Sequence, residues 1–139
     1  MKRFVFRLQR VYEYKKTVET QQKAELADAA AIRNRMLEEL QVIESALYSD
    51  FDGVHTVQAF AEHSRFIRRM RDDRSALLPK LEEAEREVDA CRERLTSTVK
   101  ELKSYEKLRE AQLAEWRVEN ERSERSALED FIAAGEAIR

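Results

Sequence analysis

The residues best suited to chemistry gather in one place. Asp50, Asp52 and His55 lie within "YSDFDGVHT", His63 follows eight positions after His55, and a single cysteine, Cys91, stands further on. Carboxylates beside an imidazole suit a divalent cation, and a pair of imidazoles suits zinc. Neither arrangement is complete. A helix presents two histidines to one metal when they are four apart, and Asp and Gly at a chain reversal ordinarily serve the local backbone and solvent. The sequence therefore assigns no metal and no cofactor.

Catalytic patterns are missing too. There is no glycine-rich phosphate loop and no nucleophile elbow. The many acids are better read as helix-face partners: Glu82 with Arg86 and Glu121 with Arg125 stand at i, i+4, a spacing worth only about 0.3 to 0.5 kcal/mol per pair. Nor does any segment promise a pocket that excludes water, so a non-enzymatic role is expected. Cys91 shares a helical stripe with Val88 and Leu95 and reads as a small apolar residue, compatible with a reducing compartment.

The elements that carry these residues follow from composition. Charged side chains make up 39% of the 139 residues and hydrophobic ones 42%, with two glycines and one proline. Such a chain has too few turn formers for a many-turned globule and too much apolar content for a disordered polyelectrolyte. Long helices with a narrow buried stripe remain. A formal net charge of -2 lacks the polarity of a dedicated nucleic-acid binder. No stretch has the roughly 18 to 20 consecutive apolar residues of a membrane span, and the opening "MKRFVFRLQRVYEYKK" lacks the pattern of a secretory signal, which suggests a cytoplasmic protein.

Two periodic runs are visible. The first passes from Phe4 through Leu8, Val11, Val18, Leu26, Ala29, Ile32, Met36, Leu40, Ile43 and Leu47, with Lys15 and Gln22 in the same register. The second starts at Val57 and includes Phe60, Ile67, Met70, Leu77, Leu81, Val88, Cys91, Leu95, Thr98, Leu102 and Tyr105, with coiled-coil spacing from Leu81 onward. Between them, Asp50, Asp52 and Gly53 mark the one sharp reversal. The spacing predicts helix 1 over about 4–50, a turn over 51–56, and helix 2 over about 57–131. Pro79 interrupts the second run, where it costs about 3 kcal/mol and would kink the helix near Leu78.

The resulting expectation is an all-α protein: a single domain over 1–139, an antiparallel two-helix coiled coil with unequal arms. At 1.5 Å per residue the arms measure roughly 70 and 110 Å. A tight reversal at Gly53 would set Ile43 opposite Phe66, Val18 near Cys91 and Phe4 near Tyr105. Residues 105–131 would then overhang, with Trp116 exposed, and a polar helix of this kind projects into solvent or is held by another molecule.

Two basic patches compete for attention. "KRFVFRLQRVYEYKK" sets six positive charges against Glu13 alone among four aromatics, and "RFIRRMRDDR" lies near the reversal. RNA or an anionic membrane surface would fit such patches. An amphipathic helix whose Lys and Arg stems cover the seam edges is the better reading, because the acidic remainder opposes polyanion binding. No nucleic-acid partner is expected.

The spacing F-x-F-x-L-x-x-V at Phe4, Phe6, Leu8 and Val11, the reversal after about fifty residues, and the C-terminal "YEKLREAQLAEWRVENERSERSALEDF" together resemble the FliJ family of flagellar export proteins. The resemblance spans nearly the whole chain. It implies an accessory protein of the flagellar type III export machine that serves motility, similar in fold to the coiled-coil stalk of rotary ATPases and to injectisome stalk proteins. It further implies peripheral association with the inner-membrane export apparatus, without insertion. Its free helix ends would enter the central channel of the hexameric export ATPase, its turn end would approach the cytoplasmic domain of the export gate, and export chaperones are possible further partners.

On that resemblance Arg7, Arg10, Leu108, Leu113, Trp116, Leu128 and Phe131 are expected to meet the ATPase. Leu40, Ile43, Leu47, Phe51, Phe66 and Met70 are expected to meet the export gate, or else to pack in the internal seam. The alternative is a generic coiled-coil adaptor that dimerises through the same stripe.

Overall fold

A computed structural model describes residues 3–49 and 56–138. Two helices account for nearly all of them, α1 (Gln9–Tyr48) and α2 (Val57–Ile138), packed against each other as an antiparallel coiled coil, with no strand among the described residues. The reversal expected at 51–56, with Asp50, Asp52, Gly53 and His55, lies outside the described residues apart from Thr56.

Helix α1 contains neither glycine nor proline, and good helix formers fill its middle at Ala24, Glu25, Leu26 and Ala27. It starts at Gln9 rather than at Phe4. The Gln9 amide donates to the Phe6 carbonyl at 3.1 Å and the Tyr12 amide to that of Leu8 at 2.9 Å, which closes the first turn. Upstream, Phe6 is buried while its neighbour Val5 is 74% exposed. That alternation belongs to an extended segment, in which successive side chains point to opposite sides. At the other end the Ser49 hydroxyl donates to the Ala46 carbonyl at 3.1 Å, satisfying one of the acceptors a helix end leaves open.

Helix α2 begins on Thr56, whose hydroxyl accepts the Ala59 amide at 3.0 Å. This is an N-cap bond, worth about 1 kcal/mol. The helix runs through Pro79 as one element and continues to Ile138. Proline removes the donor that the Ser75 carbonyl would have used. Leu77 and Leu81, both buried, anchor the helix on either side of that gap, so tertiary burial offsets the local cost.

Packing divides the chain into two units, Thr20–Thr96 and Met1–Glu19 with Ser97–Arg139. In the first, Ala29 meets Val88 and Cys91, with Leu26 against them. Val88 is only 1% exposed, and burying a valine side chain stabilises by about 1.5 to 3 kcal/mol. Arg74 approaches Glu44 at 3.6 Å, an ionic contact too long for a hydrogen bond and open enough to water to be worth little.

In the second unit Phe6, Thr98 and Leu102 are buried. Two cross-helix contacts and one from the N-terminal segment define its register: Lys15 with Glu101 at 2.7 Å, Tyr12 with Glu106 at 2.9 Å, and Phe4 with Trp116 at 6.1 Å between ring centroids. Phe4 therefore meets Trp116, not Tyr105. The expected register assumed that the two arms part at Gly53 and pair at once. The pair Glu44 with Arg74 shows instead that α2 runs several turns before it meets the last part of α1. Consequently the overhang is shorter than expected at its start. Tyr105, Gln112, Leu113, Trp116 and Asn120 are all part-covered, and only from Glu121 to Ile138 is every residue exposed.

Candidate protein-binding surfaces

The N-terminal segment and α2 form the first surface. Phe4 lies against Trp116 with the rings tilted by 58°, and the Arg109 guanidinium stacks over the phenyl ring at 5.8 Å. Tilted aromatic contact and cation-π attraction hold the non-helical segment on the helix. Beside them a cleft of about 380 Å³ is lined by Arg3, Arg7, Gln112, Glu115 and Glu119 along with the two aromatics. Its rim carries both signs of charge, as a surface for polar contact with a protein would.

Two flanking pairs steady this surface. The Tyr12 hydroxyl donates to a Glu106 carboxylate oxygen, and that bond raises the phenol above its ordinary 10.0 because ionisation would break it. Lys15 is raised above 10.5, first by its hydrogen bond to Glu101 and then by the charge of the same carboxylate. Glu106 and Glu101 are exposed and Tyr12 and Lys15 only half-buried, so each pair orients side chains more than it stabilises the fold.

Further along α2 the covering ends. Leu128 and Ile132 are more than half exposed, Phe131 is 76% exposed and Ile138 87%. Leu128, Phe131 and Ile132 recur at steps of three and four, which places them on one side of the helix. Such an exposed apolar side is a candidate binding surface.

The residues expected to meet a partner at this end thus separate. Arg7, Arg10, Leu108, Leu128 and Phe131 are exposed, whereas Leu113 and Trp116 are half-buried. Trp116 was expected to be free of intramolecular partners, and Phe4 overturns that. The exposed Ile132 and Ile138 were not among the expected contacts, although their spacing from Leu128 and Phe131 carries the same helical signal.

The second surface lies within the other unit. Ile32, Met36, Val42 and Ile43 of α1, with Met70 and Leu77 of α2, line a cleft of about 980 Å³ whose rim carries Arg35, Glu38, Glu39, Asp73 and Lys80. Leu40, Ile43, Leu47 and Met70 are half-buried and Phe66 is exposed. Phe51 lies outside the described residues. Val42, 69% exposed at the cleft, was not among the expected contacts. It falls between the seam positions Leu40 and Ile43, so its sequence pattern distinguished it from no other surface valine.

The family model for the flagellar FliJ protein matches residues 4–135. The chain belongs to the FliJ family. It is accordingly a flagellar export-related protein of a non-catalytic accessory family. No curated protein and no solved structure matched the chain. The matched span takes in both the aromatic lead at Phe4 and the exposed end at Leu128 and Phe131.

No group of three or more His, Cys, Asp or Glu among the described residues is placed to hold a metal ion. The Cys91 thiol is buried, and Arg94 lies 3.2 Å from its sulfur and 3.4 Å from Glu87. These contacts raise the guanidinium further, the sulfur being the leading cause. Among the described residues no helix is long and apolar enough to cross a membrane.

Proposed function

We propose that this protein is a stalk-like, non-enzymatic component of the flagellar type III export apparatus, cytoplasmic and peripheral to the inner-membrane complex. It binds the hexameric export ATPase through the free helix ends and links it to the cytoplasmic domain of the export gate. Export chaperones are further cargo for the same rod.

The observation that carries the reading is the fully exposed stretch from Glu121 to Ile138, in a chain of the FliJ family, with Leu128, Phe131 and Ile132 on one side of the helix. A lone helix of this kind meets only some subunits of a ring at once. Binding there favours the nucleotide-dependent states with which it makes better contacts, since a ligand shifts an equilibrium by its differential affinity. Arg7, Arg10 and Leu108 flank the entry, while Leu113 and Trp116 hold the N-terminal segment in place and contribute their exposed edges. For the export gate, Phe66 and the cleft beside Ile43 and Met70 are the accessible contacts, and Leu40 and Leu47 chiefly support the seam.

Co-purification with the cognate export ATPase tests the first contact. The wild-type chain is expected to co-elute with the ATPase, and the Leu128→Ala, Phe131→Ala double variant to lose the complex while keeping its helical content. Unchanged co-elution of that variant would place the contact elsewhere.

A further inference from the structure

Two exposed stripes of α2 complement each other. At the start of the helix, Val57, Phe60, Ser64, Arg68 and Arg71 follow steps of three and four and so share one side, with Val57 87% exposed and all but the half-buried Ser64 exposed. Among the described residues neither Arg68 nor Arg71 has an ion-pair partner. At the end of the helix Glu121, Glu124, Leu128, Phe131, Gly135 and Ile138 follow the same heptad-like steps. One stripe runs from apolar to basic, and the other from acidic to apolar.

Antiparallel alignment matches four of the five residues of the first stripe to members of the second. Setting Val57 against Ile138 brings Phe60 to Gly135, Ser64 to Phe131, Arg68 to Ala127 and Arg71 to Glu124. Each phenyl ring then faces a small residue, as knobs require holes. Arg71 then faces Glu124, with Arg68 one turn to one side of that carboxylate and Glu121 one turn to the other. A Cβ added at Gly135 would meet nothing within 4 Å, so the space opposite Phe60 is open. Parallel alignment would set Val57 and Phe60 against Glu121 and Glu124, burying acids on apolar groups.

We infer that the C-terminal stripe of one copy of this chain pairs, antiparallel, with the Val57 to Arg71 stripe of a second copy. The contact is heterologous, since the two surfaces differ, and each added copy leaves one stripe of each kind free. Two helix segments of this length bury less than the roughly 1,600 Å² of a standard stable interface, so the association is weak and concentration-dependent. It covers Leu128 and Phe131, and a partner that takes these residues competes with it. The inference stands on charge, exposure and spacing, and does not depend on the stalk role.

Sedimentation velocity of the purified full chain, from micromolar to millimolar concentration at low salt, tests it without any other protein. The wild type is expected to form growing oligomers that added salt disperses. Gly135→Leu fills the space for Phe60 and should abolish association, with helical content equal or higher because glycine is a poor helix former. Arg68→Gln with Arg71→Gln, or Glu121→Gln with Glu124→Gln, should weaken it about tenfold at low salt. Mixing the two glutamine variants should restore wild-type affinity but stop at a one-to-one complex, because each supplies the stripe the other lacks. A wild type that stays monomeric at millimolar concentration would overturn the inference. So would association untouched by Gly135→Leu, or a mixture no tighter than its components, which would signify a symmetric or intrachain contact.

Discussion

Phe4 and Trp116 face each other with ring centroids 6.1 Å apart, and Arg109 lies over the Phe4 ring at 5.8 Å. The contact ties the extended N-terminal segment to the helix that carries the exposed C-terminal end. Phe4→Ala is expected to free that segment and shift Trp116 emission to the red as water reaches the indole. The accompanying loss of stability should be about 1 to 2 kcal/mol, less than for a fully buried ring. Trp116 emission and urea midpoint, measured on the same samples, check both parts.

Gln22 occupies the seam with a side-chain oxygen that is buried and lacks a hydrogen-bond partner. An unsatisfied buried acceptor costs about 1 to 3 kcal/mol, and an apolar residue of similar size removes that cost. Gln22→Leu is therefore expected to raise the thermal midpoint. A lower midpoint would mean that the amide nitrogen contributes more than the oxygen costs.

The two kinds of apolar residue should respond in opposite ways. Val88→Ala opens space in the most buried position and is expected to destabilise by about 2 kcal/mol. Phe131→Ala, at an exposed site, should leave folding stability within about 0.5 kcal/mol of the wild type. Urea titrations of both variants separate the seam from the exposed end of α2.

Alkaline pH should loosen the Tyr12 and Lys15 pairs. Both groups hold their protons more tightly in the folded chain than free, so the folded state binds more protons as these groups titrate. Their contribution is present in full below the ordinary values of 10.0 and 10.5 and is lost as pH rises through the raised ones. A Tyr12→Phe, Lys15→Gln variant should lose less stability than the wild type between neutral pH and this range. Comparing urea midpoints across pH shows whether the two curves converge.

Much of this was legible in residue spacing. Val88, Cys91 and Leu102 announce the seam by their three and four residue steps, and they are buried. Thr56 was not singled out as a cap, although a threonine just before a periodic run is the usual sign. Register was the larger miss. A helical pattern fixes which side of each helix faces inward, but the alignment of two helices depends on how the connection runs, and the pattern of Ile43 or Phe66 contains nothing about that. Phe4 and Phe6 likewise fit a helical stripe well enough to hide their period of two. The exposure of Leu128 and Phe131 was readable because the stretch before them is polar and offers little for a second helix to cover.

The most direct measurement is the affinity of the cognate export ATPase for this chain, by isothermal titration, for the wild type and for Leu128→Ala with Phe131→Ala. The stalk reading predicts saturable binding by the wild type and at least tenfold weaker binding by the variant, since two exposed apolar anchors on one side of the helix are removed. Equal affinity for both would contradict it and move the contact away from the exposed end of α2.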